Sequence, residues 1–314
     1  MTVSLKKIRY FIAAAESGQI SHAAVELNVS QSAVTAAIQQ LETLLGVRLL
    51  ERHPGGVSLT PEGSRFLLHA RNVMAAVEEA MRVPRTSNAN VAGTVRVGVT
   101  YTVAGYFLPP HHARFARNFP NVTLDLYEAS RATIEQALID GALDIAVMLV
   151  SNLEARDSLQ SETLLRSRRR LWTPAEHPLL RTPAVGLAEV AEHPYVMLTV
   201  DEASQTADRY WAGSPHRPNV IFRTSSVEAV RSMVAAGMGI TVLSDMVYRP
   251  WSLEGQRLET RVLEDTIPTM DVGLAWRRGT PLGHATQACQ AFLRRASRGG
   301  GQARTAGARP QAGI

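Results

Sequence analysis

The chain has 314 residues, 45% of them hydrophobic, which is enough for two or three folding units with cores of their own. The 33 Lys and Arg residues exceed the 28 Asp and Glu residues only slightly, which excludes the strong basic stripe of a protein that coats DNA without sequence preference. No apolar run is long enough to span a bilayer, the N-terminus lacks a secretory apolar run, and the single Cys289 excludes an intrachain disulfide, so we expect a cytoplasmic protein.

The first 46 residues have the pattern of three helices. Apolar residues recur at helical spacing in a first amphipathic segment: Leu5, Ile8, Phe11, Ile12 and Ala15. Small residues around Ala24 keep a short second helix thin on its packing face, and Asn28-Val29 provides a turn. Ser30 is placed to cap a third helix and Gly46 to end it. One stripe of that helix is predicted to be buried: Val34, Ile38, Leu41 and Leu45.

The opposite face of the third helix carries short hydroxyl and amide side chains. These are Ser32, Thr35, Ala36, Gln39, Gln40 and Thr43. A Gln side chain can bond adenine bidentately, Ser can bond several base edges, and a Thr methyl can contact thymine in the major groove. The alternative is an ordinary solvated helix face. The small second helix before this face and the predicted Arg52-to-Leu59 hairpin after it favour a DNA reader.

Four stretches of sequence together carry a family resemblance: Ser21–Ala24, Val29–Glu42, Leu45–Arg52 and Leu59–Gly63. On these motifs, residues 1 to about 295 resemble a LysR-type transcriptional regulator (LTTR). The match is dense over residues 8 to 63 and mainly architectural beyond them. The resemblance implies a winged helix-turn-helix, a long linker helix and a two-lobed effector domain.

The expected fold class is therefore α/β overall, with an N-terminal all-α winged helix-turn-helix and a C-terminal two-lobed α/β domain like the periplasmic binding proteins. The DNA-binding domain spans 1–60, the linker and dimerisation helix with its hinge spans 61–90, and the effector domain spans 91–296. Lobe I is expected at about 91–165 and 266–296, and lobe II at about 166–265. Residues 297–314 have Gly, Ala and Arg without an apolar period and are predicted to be a disordered tail.

For the winged helix-turn-helix, the sequence predicts a set of DNA-contacting residues on the third helix and the wing. They are Ser30, Gln31, Ser32, Thr35, Gln39, Arg48, Arg52 and His53. The sequence departs from the family at Ala36 and Gly55, where a basic residue is frequent. Since each departure removes a potential phosphate contact, we expect affinity to depend more on Arg48, Arg52, His53 and helix N-terminal amides.

The segment from Pro61 to Pro84 predicts one long helix of roughly 35 Å at about 1.5 Å per residue. Its apolar residues follow helical spacing: Phe66, Leu67, Ala70, Val73, Met74, Val77, Ala80 and Met81. Such a helix cannot bury its stripe alone. We expect pairing with a second copy, as the resemblance implies, in a homodimer or homotetramer; the alternative is packing on the chain's own effector domain. Pro84 to Gly93 is the predicted hinge.

Strands and helices alternate beyond the hinge, which indicates parallel α/β lobes. Seven strands are predicted: Val95 to Val99, Val122 to Tyr127, Leu143 to Met148, Tyr195 to Thr199, Val220 to Phe222, Ile240 to Leu243 and Asp271 to Trp276. Helices are predicted in the intervals, including Leu108 to Asn118, Ile134 to Gly141 and Ser226 to Ala236.

Ligands of such sheets sit beyond the carboxyl ends of strands, near helix N-termini. Three loops fit that position: Thr100-Tyr101-Thr102, Ser130-Arg131 and Thr224-Ser225-Ser226. Their hydroxyls and amides suit a small anionic effector. The resemblance places the effector between the lobes and adds the segment Thr199 to Glu202, so the predicted site comprises Thr100, Tyr101, Thr102, Ser130, Met148, Thr199, Asp201, Thr224 and Ser225. The alternative is that Thr100, Thr102, Thr224 and Ser225 only cap helices.

No motif predicts catalysis, a cofactor or a metal site. His111 and His112 are adjacent and cannot form a metal pair on one helix face, and Gly237-Met238-Gly239 is typical of a helix stop. The run Arg168–Arg170 suits either an anion site or, more simply, a solvated strand edge. We therefore expect a ligand-responsive regulator that binds a double-stranded DNA operator and an effector, with RNA polymerase as a candidate further partner; the alternative is an α/β enzyme or solute-binding protein tethered to DNA.

Overall fold

The computed structural model of the chain describes residues 4–53, 56–80 and 90–301, which fall into two compact units, 4–80 and 90–300. Gly55, Met81, most of the predicted hinge and the chain beyond Gly301 lie outside the described residues.

The first unit contains four helices and a two-stranded hairpin. In chain order these are α1 (Leu5–Ser17), α2 (Ile20–Glu26), α3 (Gln31–Leu45), β1 (Leu50–His53), β2 (Gly56–Leu59) and α4 (Pro61–Ala80). The hairpin strands pair antiparallel, with Arg52 opposite Val57. One apolar core joins α1, α2, α3, the hairpin and the first half of α4, so the hairpin is part of the same folded body.

The boundaries of α3 follow from its capping residues, as the sequence predicts. Ser30 Oγ accepts a hydrogen bond from the Ala33 amide at 3.2 Å, and Gly46 ends the helix in the left-handed region at φ 69°. Val34, Ile38 and Leu41 are buried, whereas Leu45 is 40% exposed. The predicted stripe is therefore one residue too long, because Leu45 is the last helical residue before the chain turns at Gly46.

The apolar stripe of α4 divides between two environments. Leu67 and Ala70 are buried in the core of the first unit, and Phe66 packs edge-on against Phe11 of α1 with ring centroids 5.1 Å apart. Val73 is 42% exposed. Part of the stripe that the sequence analysis assigned to a second copy is thus covered by the chain's own helix-turn-helix.

The second unit contains seven helices and ten strands among its described residues. They are β3 (Gly93–Val99), α5 (Tyr101–Tyr106), α6 (Leu108–Asn118), β4 (Val122–Glu128), α7 (Arg131–Ile139), β5 (Ile145–Leu149), β6 (Leu159–Ser167), β7 (Arg169–Pro174), α8 (Leu187–Ala191), β8 (Pro194–Leu198), α9 (Ala203–Ala212), β9 (Asn219–Thr224), α10 (Val227–Ala235), β10 (Thr241–Ser244), β11 (Leu258–Arg261), β12 (Met270–Arg277) and α11 (His284–Gly301).

These elements form two lobes. Lobe I is built on a five-stranded sheet of order β4-β3-β5-β12-β6, in which β3, β4 and β5 are parallel and β12 is antiparallel to both its neighbours. Lobe II contains the antiparallel sheet β10-β7-β11 and the parallel pair β8-β9, joined by a bridge between Tyr195 and Ile240. The chain passes between the lobes at Arg168, between β6 and β7, and again between β11 and β12.

Each of the seven predicted strands is present, with ends that differ by one or two residues. The predicted parallel pairing is present in β3, β4 and β5 and in β8 and β9, but β12 runs antiparallel to its neighbours, and β6, β7 and β11 were not predicted. The missed strand β6 alternates irregularly between exposed and half-buried residues, so its apolar period is weak. The run Arg168–Arg170 is also not at a sheet edge, since β7 lies between β10 and β11 and Arg170 pairs with Asp245 at 2.6 Å.

The last helix, α11, extends into the segment that was predicted to be a disordered tail. Residues from Ser297 to Gly301 continue α11, and buried Ser297 donates a hydrogen bond to the Leu293 carbonyl, so the predicted disordered tail does not begin at Ser297. Cys289 packs in the same helix, where burial raises the pKa of its thiol to about 12. Among the described residues, no helix is both long and apolar enough to cross a membrane.

Candidate DNA-binding surface and effector cleft

The exposed face of α3 presents most of the residues that the sequence analysis selected for base contacts. Gln31, Ser32 and Gln39 are exposed, and Thr35 is half-buried. Ser30 is also exposed, but its hydroxyl already accepts the Ala33 amide and lies 3.0 Å from Ser32 Oγ. A hydroxyl has a second lone pair, so Ser30 and Ser32 form a small polar group at the start of the helix.

The predicted basic residues lie on the segment that follows α3. Arg48 is exposed between α3 and β1, and Arg52 is exposed within β1. His53 ends β1, and its side chain is outside the description. The two guanidinium groups and the polar face of α3 therefore belong to one folded unit, which is the arrangement that phosphate and base contacts need.

Sequence reasoning missed the residues that fix this segment. Glu42 Oε1 accepts hydrogen bonds from the amides of Leu49 at 2.8 Å and Leu50 at 3.1 Å, which joins α3 to the start of the hairpin. Thr60 Oγ1 donates to the Arg48 carbonyl at 2.7 Å. The sequence did contain a signal for this role of Glu42, because it is the single charged residue of α3.

In the second unit, two of the predicted effector residues meet across the space between the lobes. The Thr102 amide of lobe I donates to Asp201 Oδ2 of lobe II at 2.6 Å, although the two residues are 99 positions apart. Asn152, which the sequence analysis did not select, donates from Nδ2 to the Asp201 carbonyl at 3.0 Å. These contacts hold the residues between β8 and α9 against the first turn of α5 and against Asn152, which follows β5. We call the space between the two lobes at these contacts the effector cleft.

Charges in the effector cleft are predominantly acidic. Arg131 of α7 lies 3.1 Å from Glu135, 3.0 Å from Glu154 and 3.4 Å from Glu202, so one guanidinium faces three carboxylates. Burial raises the pKa of the Glu202 carboxyl, and the nearby Arg131 offsets this only in part. Asp201 and Glu202 both have left-handed backbone angles, with φ of 50° and 57°. For residues other than glycine, such angles cost about 1–3 kcal/mol each and cluster at functional sites.

A second polar bridge joins the lobes at the other end of α5. The Tyr106 hydroxyl donates to Glu228 Oε1 of α10 at 2.9 Å. Arg231, which is buried, pairs with Glu228 and donates to the Val247 carbonyl at 2.6 Å. The Arg249 guanidinium lies 5.5 Å from the Tyr106 ring centroid. Tyr106 is therefore fixed to lobe II by charged groups.

The other predicted effector residues have varied positions. Ser130 caps α7 by accepting the Thr133 amide at 3.4 Å, and Thr224 Oγ1 accepts the Ser226 amide at 3.1 Å, so both hydroxyls are already engaged locally. Tyr101 and Ser225 are exposed and Thr199 is half-buried. Met148 is fully buried in a lobe I cluster, so the structure does not place it at the cleft surface.

These contacts bear on the expected charge of the effector. Two amides of the loops predicted to meet an anion, those of Thr102 and Ser226, are bonded to Asp201 and Thr224 of the chain itself. Arg131 is paired with carboxylates. The expectation of an anionic effector stays a prediction, and these contacts leave fewer free donors for an anion than the loop sequences suggest.

A cavity of about 870 Å³ adjoins the cleft at Asn152, in the size range of about 300–1,000 Å³ that is typical of small-molecule sites. It is bordered by Ser151 and Asn152 on one side and by α9 and the segment before β12 on the other. Its charged and titratable lining residues are Glu189, Arg209, Tyr210, His216, Glu264 and Asp265.

Comparisons with known proteins agree with this architecture. The family described as the LysR substrate binding domain matches residues 88–298, and the bacterial regulatory helix-turn-helix protein, lysR family, matches residues 5–64.

Individual relatives and a solved structure align with most of the chain. The chain is 30% identical over 250 residues to the uncharacterized HTH-type transcriptional regulator YnfL of Escherichia coli K12, over 77% of this chain and 82% of that protein. It is 29% identical over 296 residues to the RuBisCO operon transcriptional regulator of Allochromatium vinosum, over 93% of this chain and 96% of that one. The crystal structure of HinK, a LysR family transcriptional regulator from Pseudomonas aeruginosa, aligns with a TM-score of 0.61 at 24% identity over 96% of this chain and 99% of that chain. The chain belongs to the LysR family of DNA-binding transcriptional regulators with an effector-binding domain.

Proposed function

We propose that α3 and the hairpin read a double-stranded DNA operator and that a small molecule bound in the effector cleft controls this activity. Gln31, Ser32, Thr35 and Gln39 contact base edges, with Ser30 positioned at the start of the helix. Arg48, Arg52 and His53 contact phosphates. The observation that carries the proposal is the polar exposed face of α3, capped by Ser30 and joined to the hairpin through Glu42.

The proposed effector site is smaller than the one selected from sequence. We retain Thr100, Tyr101, Thr102, Thr199, Asp201, Thr224 and Ser225, which flank the contact between Asp201 and the first turn of α5. Ser130 contributes as the cap of α7 rather than as a direct contact, and Asn152 joins the site through the Asp201 carbonyl.

We propose that the regulator acts as a homodimer or a homotetramer. Exposed Val73 on α4 supports pairing of linker helices. The effector domain also exposes large apolar side chains on two strands that, among the described residues, each pair with a single neighbour: Leu126 and Tyr127 of β4 and Ile221 and Phe222 of β9. Exposed apolar residues on such strands favour association with a second copy. RNA polymerase is a further proposed partner, and the cytoplasm, where the operator lies, is the proposed location.

We propose a sensor rather than an enzyme. The charged groups that meet at the cleft, Arg131 with Glu135, Glu154 and Glu202, are paired with one another and not arranged as a nucleophile and its base.

The direct test is selection of DNA from a random library by the purified full-length chain, followed by sequencing. The proposal expects one enriched motif, since the α3 face offers directional donors and acceptors. Gln39→Ala is the informative variant, because it leaves the folded core untouched. A library that stays random after repeated selection would contradict sequence-specific reading.

A further inference from the structure

The N-terminus of α5 has an unusual capping arrangement. Thr100 occupies the N-cap position with the extended backbone of a cap, φ −84° and ψ 156°, but its side chain makes no capping hydrogen bond. An N-cap Thr ordinarily accepts the amide two or three residues further on. Here the Thr102 amide donates to Asp201 of lobe II instead. The other lobe therefore supplies the cap.

Because Asp201 takes the Thr102 amide, the Thr100 hydroxyl is left without a capping hydrogen bond. Thr100 is 1% exposed, and its Oγ1 has no hydrogen-bond partner among the described residues. Burying a hydroxyl without a partner is destabilising. The backbone of Thr100 already suits a cap, so its hydroxyl can take the Thr102 amide once Asp201 leaves. Two alternative caps for one helix make a two-state element.

Asp201 is held in place at a cost. It and Glu202 adopt left-handed backbone angles, which persist only where the surroundings impose them. Three contacts do so: Asp201 Oδ2 with the Thr102 amide, the Asp201 carbonyl with Asn152, and Glu202 with Arg131. Removing the first of these contacts allows the segment between β8 and α9 to relax.

The charges around Asp201 indicate what kind of ligand can draw its carboxylate away from the Thr102 amide. No Lys, Arg or His side chain among the described residues forms an ion pair with Asp201. Arg131 is shared among three other carboxylates. The adjoining cavity adds three carboxylates, Glu189, Glu264 and Asp265, against Arg209 and His216. An anion entering this region meets net negative charge, whereas a cation finds a carboxylate without a cationic partner.

We propose that the effector carries an ammonium or guanidinium group that draws the Asp201 carboxylate away from α5, after which the Thr100 hydroxyl caps the helix. The cation thereby exchanges one cap for the other and releases one of the two polar bridges between the lobes, while the Tyr106–Glu228 bridge remains. This inference rests on the proposed function only in placing the effector in this cleft.

The test uses three probes with the same four-carbon skeleton: 1,4-diaminobutane, succinate and 1,4-butanediol, with agmatine as the guanidinium probe. Binding to the full-length chain is measured by calorimetry and thermal shift at constant ionic strength. The chain carries a net charge of +5, so non-specific electrostatics favours succinate. We expect binding of 1,4-diaminobutane or agmatine and none of succinate or the diol. Tighter binding of succinate, or binding of neither cation at 50 mM, overturns the proposal.

Two variants test the cap exchange. Asp201→Asn keeps an oxygen acceptor for the Thr102 amide but removes the charge, so the Kd for the cation should rise at least tenfold. Asp208→Asn, at an exposed position on α9, removes the same charge and should leave the Kd unchanged. Thr100→Val should not lower the melting temperature without ligand, because no hydrogen bond is lost, but it should weaken cation binding. Equal Kd values for Asp201→Asn and Asp208→Asn, or unaltered binding by Thr100→Val, contradict the exchange.

Failure of this inference is distinguishable from failure of the proposed function. A chain that enriches one DNA motif yet binds succinate retains the regulatory function and loses only the cationic effector.

Discussion

Glu42→Ala should detach the DNA-contacting segment from α3. The Glu42 carboxylate accepts two amides, those of Leu49 and Leu50, and both residues are buried. A hydrogen bond to a charged group contributes about 1.5–3 kcal/mol. Glu42 is half-buried, so water can replace part of the stabilisation that these hydrogen bonds provide. We therefore take about 2 kcal/mol for the two hydrogen bonds together. That free energy corresponds to a roughly 30-fold larger equilibrium constant for local opening, at tenfold per 1.4 kcal/mol.

The assay is amide hydrogen exchange on the full-length chain, read at Leu49 and Leu50. Glu42→Gln keeps one oxygen acceptor and should lose less protection than Glu42→Ala. Glu26→Ala is the control, since Glu26 is exposed and forms no hydrogen bond or ion pair among the described residues. Because Arg48 and Arg52 lie on the freed segment, DNA affinity should also fall. Unchanged protection in Glu42→Ala, or an equal loss in Glu26→Ala, would refute this role for Glu42.

Three further predictions concern DNA reading and assembly. Gln39→Ala should cost about 1–3 kcal/mol on the selected site and little on random DNA, measured by fluorescence anisotropy; equal losses on both would reject base reading by Gln39. Arg52→Ala should weaken binding to both DNAs and reduce the slope of log K against log salt by about 0.9, the value for one phosphate contact, and an unaltered slope removes Arg52 from the phosphate contacts. Val73→Glu places a charge on an exposed apolar position of α4 and should convert a dimer to monomer in sedimentation, without loss of helix content. A wild-type chain that sediments as a monomer at micromolar concentration contradicts the assembly.

Local signals explain the features that the sequence predicted well. Ser30 and Gly46 delimit α3 because a cap and a left-handed glycine act within one turn of the helix. The seven predicted strands were recognisable because each contains a short stretch rich in apolar or β-branched residues, which is buried in strands such as β3 and β5 and largely exposed in β4 and β9. The strands β6, β7 and β11 were missed because their exposed or half-buried polar residues interrupt that pattern.

The features that the sequence did not predict depend on contacts between distant residues. Asp201 meets Thr102 only after both lobes have formed, and its left-handed backbone runs against the local preference of a non-glycine residue. The division of the α4 stripe follows from the core of the first unit, which covers Leu67 and Ala70 but leaves Val73 exposed. Helical spacing alone assigns all three residues to one face.

The central claim, that this chain reads a specific DNA sequence through α3, is tested most directly by one ratio. The dissociation constants of the full-length chain for its selected DNA and for a scrambled duplex of the same composition are measured at the same physiological salt concentration. The account predicts that the selected DNA binds about 10³-fold or more tightly and that Gln39→Ala lowers this ratio. A ratio near one at that salt concentration would contradict it.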